Sequence, residues 1–453
     1  MCGIAGTVAA DSESLVRKML EVIKHRGPDG SGVISSSSIT LGNVLLKITG
    51  NKTQPVHNGG ALTYNGEIYN FKEIAEKLDL KTGSDSDALF ALIKSKGTEA
   101  AVQELDGDYA FAYLSGDGLE LARDPAGVKP LYYGYSEGMF AFASEKKALL
   151  AIGMNTVFPL KPGNMLLFTH DKIVQKKIAC FAPGKRITDE NEASEHLFTA
   201  IGKAVKKRRY IPSGIAFSGG LDSSLIAALS RDSELFTVGM AGSHDIHQSK
   251  KAAQILGLPD KLHLHELTPE EIESAVIPVI RAIESSDPLK VSIAMPLFFA
   301  SKDANDCGIR VMLSGQGADE LFGGYKRYES LAPGELETAL RHDLDNIAEN
   351  NLERDDAVTM ANAVELRVPY LDREVVELAL GIDPGLKISH GIRKYILRKA
   401  AGKILPSELA LKEKKAAQYS SGIYSALLKI AKKNGFRGDR FLGRYLEEMK
   451  SGL

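Results

Sequence analysis

Two rhythms of apolar and polar positions divide this chain. From residue 211 onward, short apolar runs alternate with longer stretches of helical period. Strands are predicted at 214–217, 235–238, 261–264 and 309–313, and helices at 223–231, 246–256, 269–283 and 294–306. Such alternation is the mark of a parallel α/β sheet, whose ligands bind at the carboxyl ends of the strands. The earlier half reads differently: the segments 39–48, 61–65, 109–114, 119–122, 131–134 and 140–143 are short and rich in apolar or aromatic residues. They predict stacked antiparallel sheets. Pro159, Pro162 and Gly163 still belong to that half, and 183–190 reads as a polar linker. We therefore expect domains at 1–185 and 186–453. A helical pattern resumes near Ala193 and runs towards Arg209, and its basic end, Lys206-Lys207-Arg208-Arg209, reads as a solvated helix C-terminus, where the helix dipole favours cations.

The second half is organised around Phe217-Ser218-Gly219-Gly220-Leu221-Asp222-Ser223-Ser224. An apolar run, Gly214-Ile215-Ala216-Phe217, leads into it, and a helical pattern beginning Leu225-Ile226-Ala227 follows. The string is a strand, a glycine turn and a helix start, which is where a phosphate sits. Gly219 and Gly220 let backbone N–H groups converge, Ser218, Ser223 and Ser224 add hydroxyl donors, and the helix N-terminus adds partial positive charge. Asp222 is the odd member, because a carboxylate beside a phosphate needs a cation between them, and Mg²⁺ is the natural one. The chain contains no G-x-x-x-x-G-K-[ST] loop. Two further loops are expected at strand ends, one after Phe236-Thr237-Val238-Gly239 and one at Leu313-Ser314-Gly315-Gln316-Gly317-Ala318-Asp319-Glu320.

The first half begins Met1-Cys2-Gly3-Ile4-Ala5-Gly6. Methionine before a small residue is normally removed, which would leave Cys2 with a free α-amino group. That amine has an ordinary pKa of about 7.7–8.0, near enough to neutrality to take the proton of the adjacent thiol. One residue then supplies nucleophile and base. By itself a cysteine at position 2 says little, and Asn65-Gly66 by itself reads as a hairpin turn. They gain meaning in company with His25-Arg26-Gly27-Pro28-Asp29-Gly30, Tyr64-Asn65-Gly66-Glu67-Ile68-Tyr69-Asn70 and Gly83-Ser84-Asp85-Ser86-Asp87.

Composition narrows the partners. The chain has 453 residues, a formal net charge of −2 and 25% charged residues of both signs, which argues against an extended nucleic-acid surface and for small substrates. No apolar run reaches the length of a membrane span, and the N-terminus lacks the basic and apolar regions of a signal peptide, so a cytoplasmic protein is expected. Cys2, Cys180 and Cys307 are too few and too scattered for a disulfide framework or a zinc site.

These strings carry a resemblance. Ser218-Gly219-Gly220-Leu221-Asp222-Ser223-Ser224 looks like the pyrophosphate loop of the PP-loop ATP-pyrophosphatases, whose members cleave ATP between the α- and β-phosphates and adenylate a substrate. The strings around Cys2, Asn65 and Asp85, with 105–111, 122–125 and 141–145, resemble the class II glutamine amidotransferase domain. Leu321-Phe322-Gly323-Gly324-Tyr325, Asn351-Leu352-Glu353-Arg354 and Val364-Glu365-Leu366-Arg367-Val368-Pro369-Tyr370-Leu371-Asp372 narrow the likeness further. Over nearly the whole chain, from Cys2 to about Gly422, the sequence resembles the glutamine-hydrolysing asparagine synthetase family.

The resemblance implies an α+β N-terminal-nucleophile domain, an αββα sandwich, followed by an α/β parallel-sheet PP-loop domain. It implies ATP-dependent amidation of aspartate through a β-aspartyl-AMP intermediate, with ammonia from glutamine and a route for that ammonia between the two sites. By position it gives Cys2 as nucleophile, Asn65 and Gly66 as oxyanion donors, and Glu67 and Asp85 as further glutamine contacts. Ser218, Gly219, Gly220, Leu221, Asp222 and Ser223 would hold the phosphates of ATP, and Phe217, Val238, Ser314 and Gly315 would line the adenosine pocket. Asp222 and Asp319 would take Mg²⁺. Gln316, Glu365, Lys394 and Lys415, the last beside Lys414, are the remaining catalytic expectations. Members of the family are often dimers.

Two positions depart from the family pattern. Leu45, in Leu45-Leu46-Lys47-Ile48, stands where an arginine usually pairs with the α-carboxylate of glutamine. Gln316 stands where many members have glutamate; an amide keeps hydrogen bonding but holds no charge. Two alternatives therefore stay open, a related amide ligase acting on another carboxylic acid and an enzyme dependent on free ammonia. A third, a plain glutaminase or a weakened regulatory protein, is opposed by the intact loop at 218–223.

Overall fold

The computed structural model describes residues 2–50, 52–116, 118–136, 138–170, 172–412 and 421–452. They form two compact units, Met1–Phe181 and Ala182–Leu453.

In the first unit two six-stranded sheets are stacked between helices. One sheet runs Phe158–Pro159, Tyr132–Ser136, Met139–Ala143, Cys2–Val8, Ile39–Leu45, Ser31–Ser36; the other runs Lys172–Lys177, Asn164–Thr169, Gly118–Arg123, Gly107–Ser115, Ala61–Ile68, Val56–His57. All recorded pairings in them are antiparallel. Period-two alternation splits each strand between two cores. Ile4 and Leu41 from one sheet and Ala61, Ala110, Ala112 and Leu121 from the other meet in the core between the sheets. Ala5, Val44, Ala141 and Ala143 face outward onto Val16 and Met19 of the helix Ser12–Val22 and Leu149 of Lys146–Ala151. On the far side Leu62, Tyr64 and Phe111 pack on Ile74, Leu89 and Val102 from the helices Phe71–Lys77, Asp85–Lys96 and Thr98–Glu104. The layer order is therefore α, β, β, α, as the resemblance implied.

All six segments expected as strands contain one, although the first ends at Leu45 rather than at 48. Cys2–Val8 was not among them, because its residues are small and buried on both faces, so no alternation marks it. Lys172–Lys177 escaped for the opposite reason: all six of its residues are exposed at a sheet edge.

The second unit holds a five-stranded sheet whose pairings are all parallel. Its order is Leu262–Leu267, Glu234–Met240, Gly214–Ala216, Val311–Leu313, Glu365–Arg367, that is third, second, first, fourth, fifth along the chain. The four expected strands are present. The fifth, only three residues long and charged at both ends, is nevertheless buried, and its two charges pair with each other, Arg367 Nε to Glu365 Oε1 at 3.1 Å. The helix Pro269–Ile283 starts where its capping box puts it, with Thr268 and Glu271 exchanging hydrogen bonds. Pro288–Asp306 begins earlier than periodicity indicated, because Asp287 caps it by accepting from Lys290 N at 2.8 Å.

The basic end of the helix Glu190–Arg208 corrects the sequence reading. Arg208 is 1% exposed rather than solvated, and with Lys207 it converges on the buried carboxylate of Asp372. Among the described residues no helix is long and apolar enough to cross a membrane.

Candidate active sites

Cys2 begins a central strand of the first unit. Its register partner on the neighbouring strand is Leu45, and its side chain shares a face with Ile4, towards the core between the sheets. The thiol is 5% exposed, and burial pushes it above its ordinary range. Its backbone nitrogen donates to Asn65 Oδ1 at 3.1 Å. Asn65 is fully buried in the strand Ala61–Ile68, and its Nδ2 has no hydrogen-bond partner among the described residues. A buried donor left open costs about 1–3 kcal/mol, so its persistence points to a ligand that would take it. The next residue must be glycine: Gly66 has φ +154°, and a Cβ there would lie 2.2 Å from Asp108 O.

Sequence reasoning missed two more amides. Gln54 Nε2 lies 4.0 Å from Cys2 Sγ, while its Oε1 accepts from Tyr64 N at 2.8 Å. Asn43 is buried on the face of the strand Ile39–Leu45 that carries Leu41 and Leu45, and its Nδ2 donates to Tyr64 O at 3.5 Å. An asparagine at an inward position of an apolar strand was the available signal for Asn43; nothing local marked Gln54.

The motif around Arg26 holds the backbone of Cys2. Arg26 is fully buried, donates through Nε to Cys2 O at 3.3 Å, and pairs with Glu145 Oε1 at 2.9 Å. His25 and Lys147 also reach Glu145, at 3.0 and 2.7 Å. Burial would raise that carboxyl, but His25, Lys147 and Arg26 together hold it well below the usual carboxylate range.

Asp85, the first residue of the helix Asp85–Lys96, is 6% exposed and accepts from Tyr64 OH at 2.9 Å and Ile68 N at 3.3 Å. Burial, then the charge of Glu67, push it up to about 7. Glu67 is itself buried and accepts from Thr49 Oγ1 at 3.1 Å. Tyr64 links the two groups, its N–H donating to Gln54 beside the thiol and its hydroxyl to Asp85. Leu45 stands half-buried opposite Cys2. Lys47 lies beyond the end of that strand with its side chain exposed and its N–H donating to Asp29 Oδ2 at 2.8 Å.

In the second unit the strand order reverses between Gly214–Ala216 and Val311–Leu313. Such a switch point opens a crevice at the carboxyl ends of the strands. The loops leaving those two strands carry most of the expected residues. Gly219 has φ +66°, and a Cβ would lie 2.8 Å from Gln248 O, so only glycine fits. Gly220 N donates to Ser218 Oγ at 3.4 Å, and Ser223 Oγ receives Ser218 N at 3.3 Å. Phe217, Leu221 and Ser223 are buried, and Ser218 is exposed. Val238 is buried in the adjacent strand Glu234–Met240. Ser314 N donates to Arg367 O at 3.0 Å, and a Cβ on Gly315 would lie 3.0 Å from Asp222 Cβ, so the two loops are in close apposition.

Asp222 and Asp319 converge on one cation, the ammonium of Lys394. Nζ lies 2.8 and 2.7 Å from the two oxygens of Asp222 and 2.7 Å from Asp319 Oδ1. Lys394 is 2% exposed and sits at φ +55°, a left-handed conformation at the start of the helix Tyr395–Ala401. Gly324 makes the clasp possible, because a Cβ there would lie 1.7 Å from Asp319 Oδ1 and 2.4 Å from Lys394 Cε. The donor set, two carboxylates meeting at one positive charge, fits Mg²⁺. Among the described residues no three of His, Cys, Asp and Glu form a metal cage, so phosphate oxygens and water would complete the coordination.

Gln316 is half-buried beside this cluster and donates through Nε2 to Asp355 Oδ2 at 2.5 Å. Glu365 is not brought to the loops: it is fully buried at the start of its strand, with its carboxylate engaged by Arg367. Lys414 and Lys415 lie outside the described residues.

Known proteins align with both halves. The glutamine amidotransferase domain family matches residues 1–198, and the asparagine synthase family matches 196–335 and 331–434. A protein of Methanocaldococcus jannaschii, assigned by its name to the glutamine-hydrolysing asparagine synthetases, is 36% identical over an alignment covering 99% of each chain. Asparagine synthetase B [glutamine-hydrolyzing] of Escherichia coli is 31% identical, with 93% of this chain and 85% of that protein aligned. Asparagine synthetase [glutamine-hydrolyzing] 2 of Arabidopsis thaliana is 30% identical, over 93% and 79%.

Proposed function

The chain belongs to the glutamine-hydrolysing asparagine synthetase family, and from that premise we propose that it converts L-aspartate to L-asparagine with ATP and the amide nitrogen of glutamine. The products are AMP, pyrophosphate and glutamate. We keep the boundary between its two functional domains in the polar stretch that follows residue 182.

In the first half, the Cys2 thiolate would attack the amide carbon of glutamine. After removal of Met1, the nitrogen that now donates to Asn65 becomes the α-amine that takes the thiol proton and returns it to the departing ammonia. A thioester forms, and water releases glutamate. Charge developing on the carbonyl oxygen would be met by Asn65 Nδ2 and the N–H of Gly66, and donors aimed in this way at developing charge are often the largest catalytic term. Asp85, next to Glu67, would receive the α-ammonium of glutamine. With Leu45 in place of an arginine, the α-carboxylate meets no guanidinium at that position, so a weak glutamine affinity is expected.

In the second half, the aspartate β-carboxylate would attack the α-phosphate of ATP, forming β-aspartyl-AMP as pyrophosphate leaves. Ammonia then attacks the acyl carbon and displaces AMP. Gly219, Gly220 and the hydroxyls of Ser218 and Ser223 would cradle the phosphates, with Phe217, Val238, Ser314 and Gly315 around the adenosine. Asp222 and Asp319 would hold Mg²⁺, which when bound offsets phosphate charge. In that state Lys394, displaced from the two carboxylates, would pair with a phosphate oxygen, and Lys415 is a second proposed cation. We place the reaction in the cytoplasm.

The observation that most supports this reading is the open Asn65 Nδ2 beside the nitrogen of Cys2, in the same chain as a PP-loop at a switch point. Pyrophosphate release from MgATP, measured with a panel of amino acids and with glutamine or ammonium, tests it. Aspartate-dependent release with both nitrogen sources is expected. Release with a different acid alone overturns the choice of substrate, and release with ammonium alone overturns the glutaminase.

A further inference from the structure

Asp355 lies in the helix Glu353–Met360 and is 2% exposed. Its two oxygens are divided between two partners. Oδ1 takes Arg354 Nε at 2.8 Å and a second guanidinium nitrogen at 2.7 Å, while Oδ2 takes Gln316 Nε2 at 2.5 Å. Arg354, 7% exposed, is anchored in turn by Nη1 donating to Asn350 O at 3.2 Å. A carboxylate can only accept, so Asp355 selects one of the two orientations of the Gln316 amide. Nε2 is committed to Asp355, and Oε1 has no hydrogen-bond partner among the described residues. Gln316 is half-buried, and it directly follows Gly315, which abuts Asp222.

We propose that Asp355, held by Arg354, is a positioning residue that fixes the Gln316 amide so that Oε1 presents a neutral acceptor to a substrate N–H. The proposal rests on the reading of this half as the site of aspartate activation and amidation. Two substrate nitrogens carry the required donor, the α-ammonium of aspartate and the incoming ammonia. A neutral amide also suits this position physically, because a second carboxylate facing Asp355 would share a single guanidinium in a buried setting, where an uncompensated charge is unfavourable. Gln316 and Asp355 thus form a pair whose polarity can be exchanged.

The test is a swap, read by aspartate-dependent pyrophosphate release and by ammonium-dependent asparagine formation, with thermal midpoints as the measure of folding. Gln316→Glu should lower kcat/KM by about 30-fold or more, and Asp355→Asn by about tenfold, while Gln316→Glu/Asp355→Asn returns to within about fivefold of wild type, as expected for residues coupled through one contact. A rise confined to the KM for aspartate in Asp355→Asn assigns Oε1 to the α-ammonium, and one confined to the KM for ammonium assigns it to the nucleophile. Wild-type activity in Gln316→Glu, or a double variant no better than the worse single, overturns the proposal. If Asp355→Asn lowers the thermal midpoint so far that it does not fold, Gln316→Glu alone still decides, because its side chain is half-buried. A wild-type chain that adenylates another acid removes the aspartate reading; the same swap measured with that acid still tests the pair.

Discussion

The two sites solve the problem of charge in opposite ways. Around Cys2 stand neutral amides, Asn43 and Asn65 in strands and Gln54 in the loop between them, all three buried. Charges there are paired or kept off the side chain, in Arg26, which holds the Cys2 carbonyl and pairs with Glu145, and in Asp85 beside Glu67. The PP-loop site is charged at its centre, with Asp222 and Asp319 clasping Lys394 on loops at strand ends. A neutral pocket can be built in advance, since an open amide donor is tolerable. Two facing carboxylates are costly without a cation, and Lys394 supplies one; under the proposed function it would give way to the Mg²⁺ that arrives with substrate. Under that reading the first site would be preformed, and the second completed by its ligand.

The sharpest break between the two is expected from Cys2→Ala. It should lower glutamine-dependent asparagine formation by at least about 10³-fold, leaving the ammonium-dependent rate within about twofold, because only one half loses its nucleophile. Equal loss with both nitrogen sources would merge the two sites into one. Asn65→Ala comes next, with glutaminase kcat down by about 10²- to 10³-fold and glutamine KM changed far less, the signature of a donor used mainly in the transition state. Should KM rise instead while kcat holds, Asn65 binds substrate and the preformed oxyanion site is lost from the comparison. Asp222→Asn belongs to the other half and should lower both nitrogen routes by on the order of 10²-fold while sparing glutamine hydrolysis. Unchanged pyrophosphate release would take Asp222 out of the metal role.

How much of this could be read from the sequence differs between the two halves for physical reasons. The parallel sheet was legible, because strands buried on both faces give apolar runs separated by helical periods, and Ser218-Gly219-Gly220-Leu221-Asp222-Ser223 has to follow such a strand. Cys2, Asn65 and Gly66 were also legible as strings. What escaped was what only tertiary packing creates. The strand Cys2–Val8 has no alternation to see; Gln54 reaches the thiol from a segment with no pattern; and Gly324 matters only because Lys394, seventy residues later, passes the place where its Cβ would be. Arg208 looked like a solvated cation because a run of four basic residues at a helix end usually is one, and nothing in the local sequence indicates that Asp372 lies beneath it. Gln316 was visible as a departure, but its meaning rests on Asp355, which no motif singled out.

The smallest effect sharpens the comparison most finely, because it asks whether the preformed pocket also waits for a charge. Asp85 is raised from 3.8 to about 7, first by burial and then by Glu67. The sign follows from which form each state prefers. The empty folded protein holds the proton more tightly than the unfolded chain, so Asp85 makes stability fall as pH rises from 3.8 towards 7, and that penalty is complete above 7. An incoming α-ammonium reverses the preference, because it favours the ionised carboxylate. Glutamine should therefore bind about tenfold more tightly at pH 8 than at pH 6, and it should raise the thermal midpoint more at the higher pH. Titration calorimetry on Cys2→Ala isolates this from the chemistry of the thiol, and adding Asp85→Asn should weaken binding at pH 8 and flatten the dependence. A pH-independent affinity in Cys2→Ala would mean that Asp85 is already ionised in the empty pocket. The first site would then resemble the second, with a charge that something else must neutralise before substrate arrives.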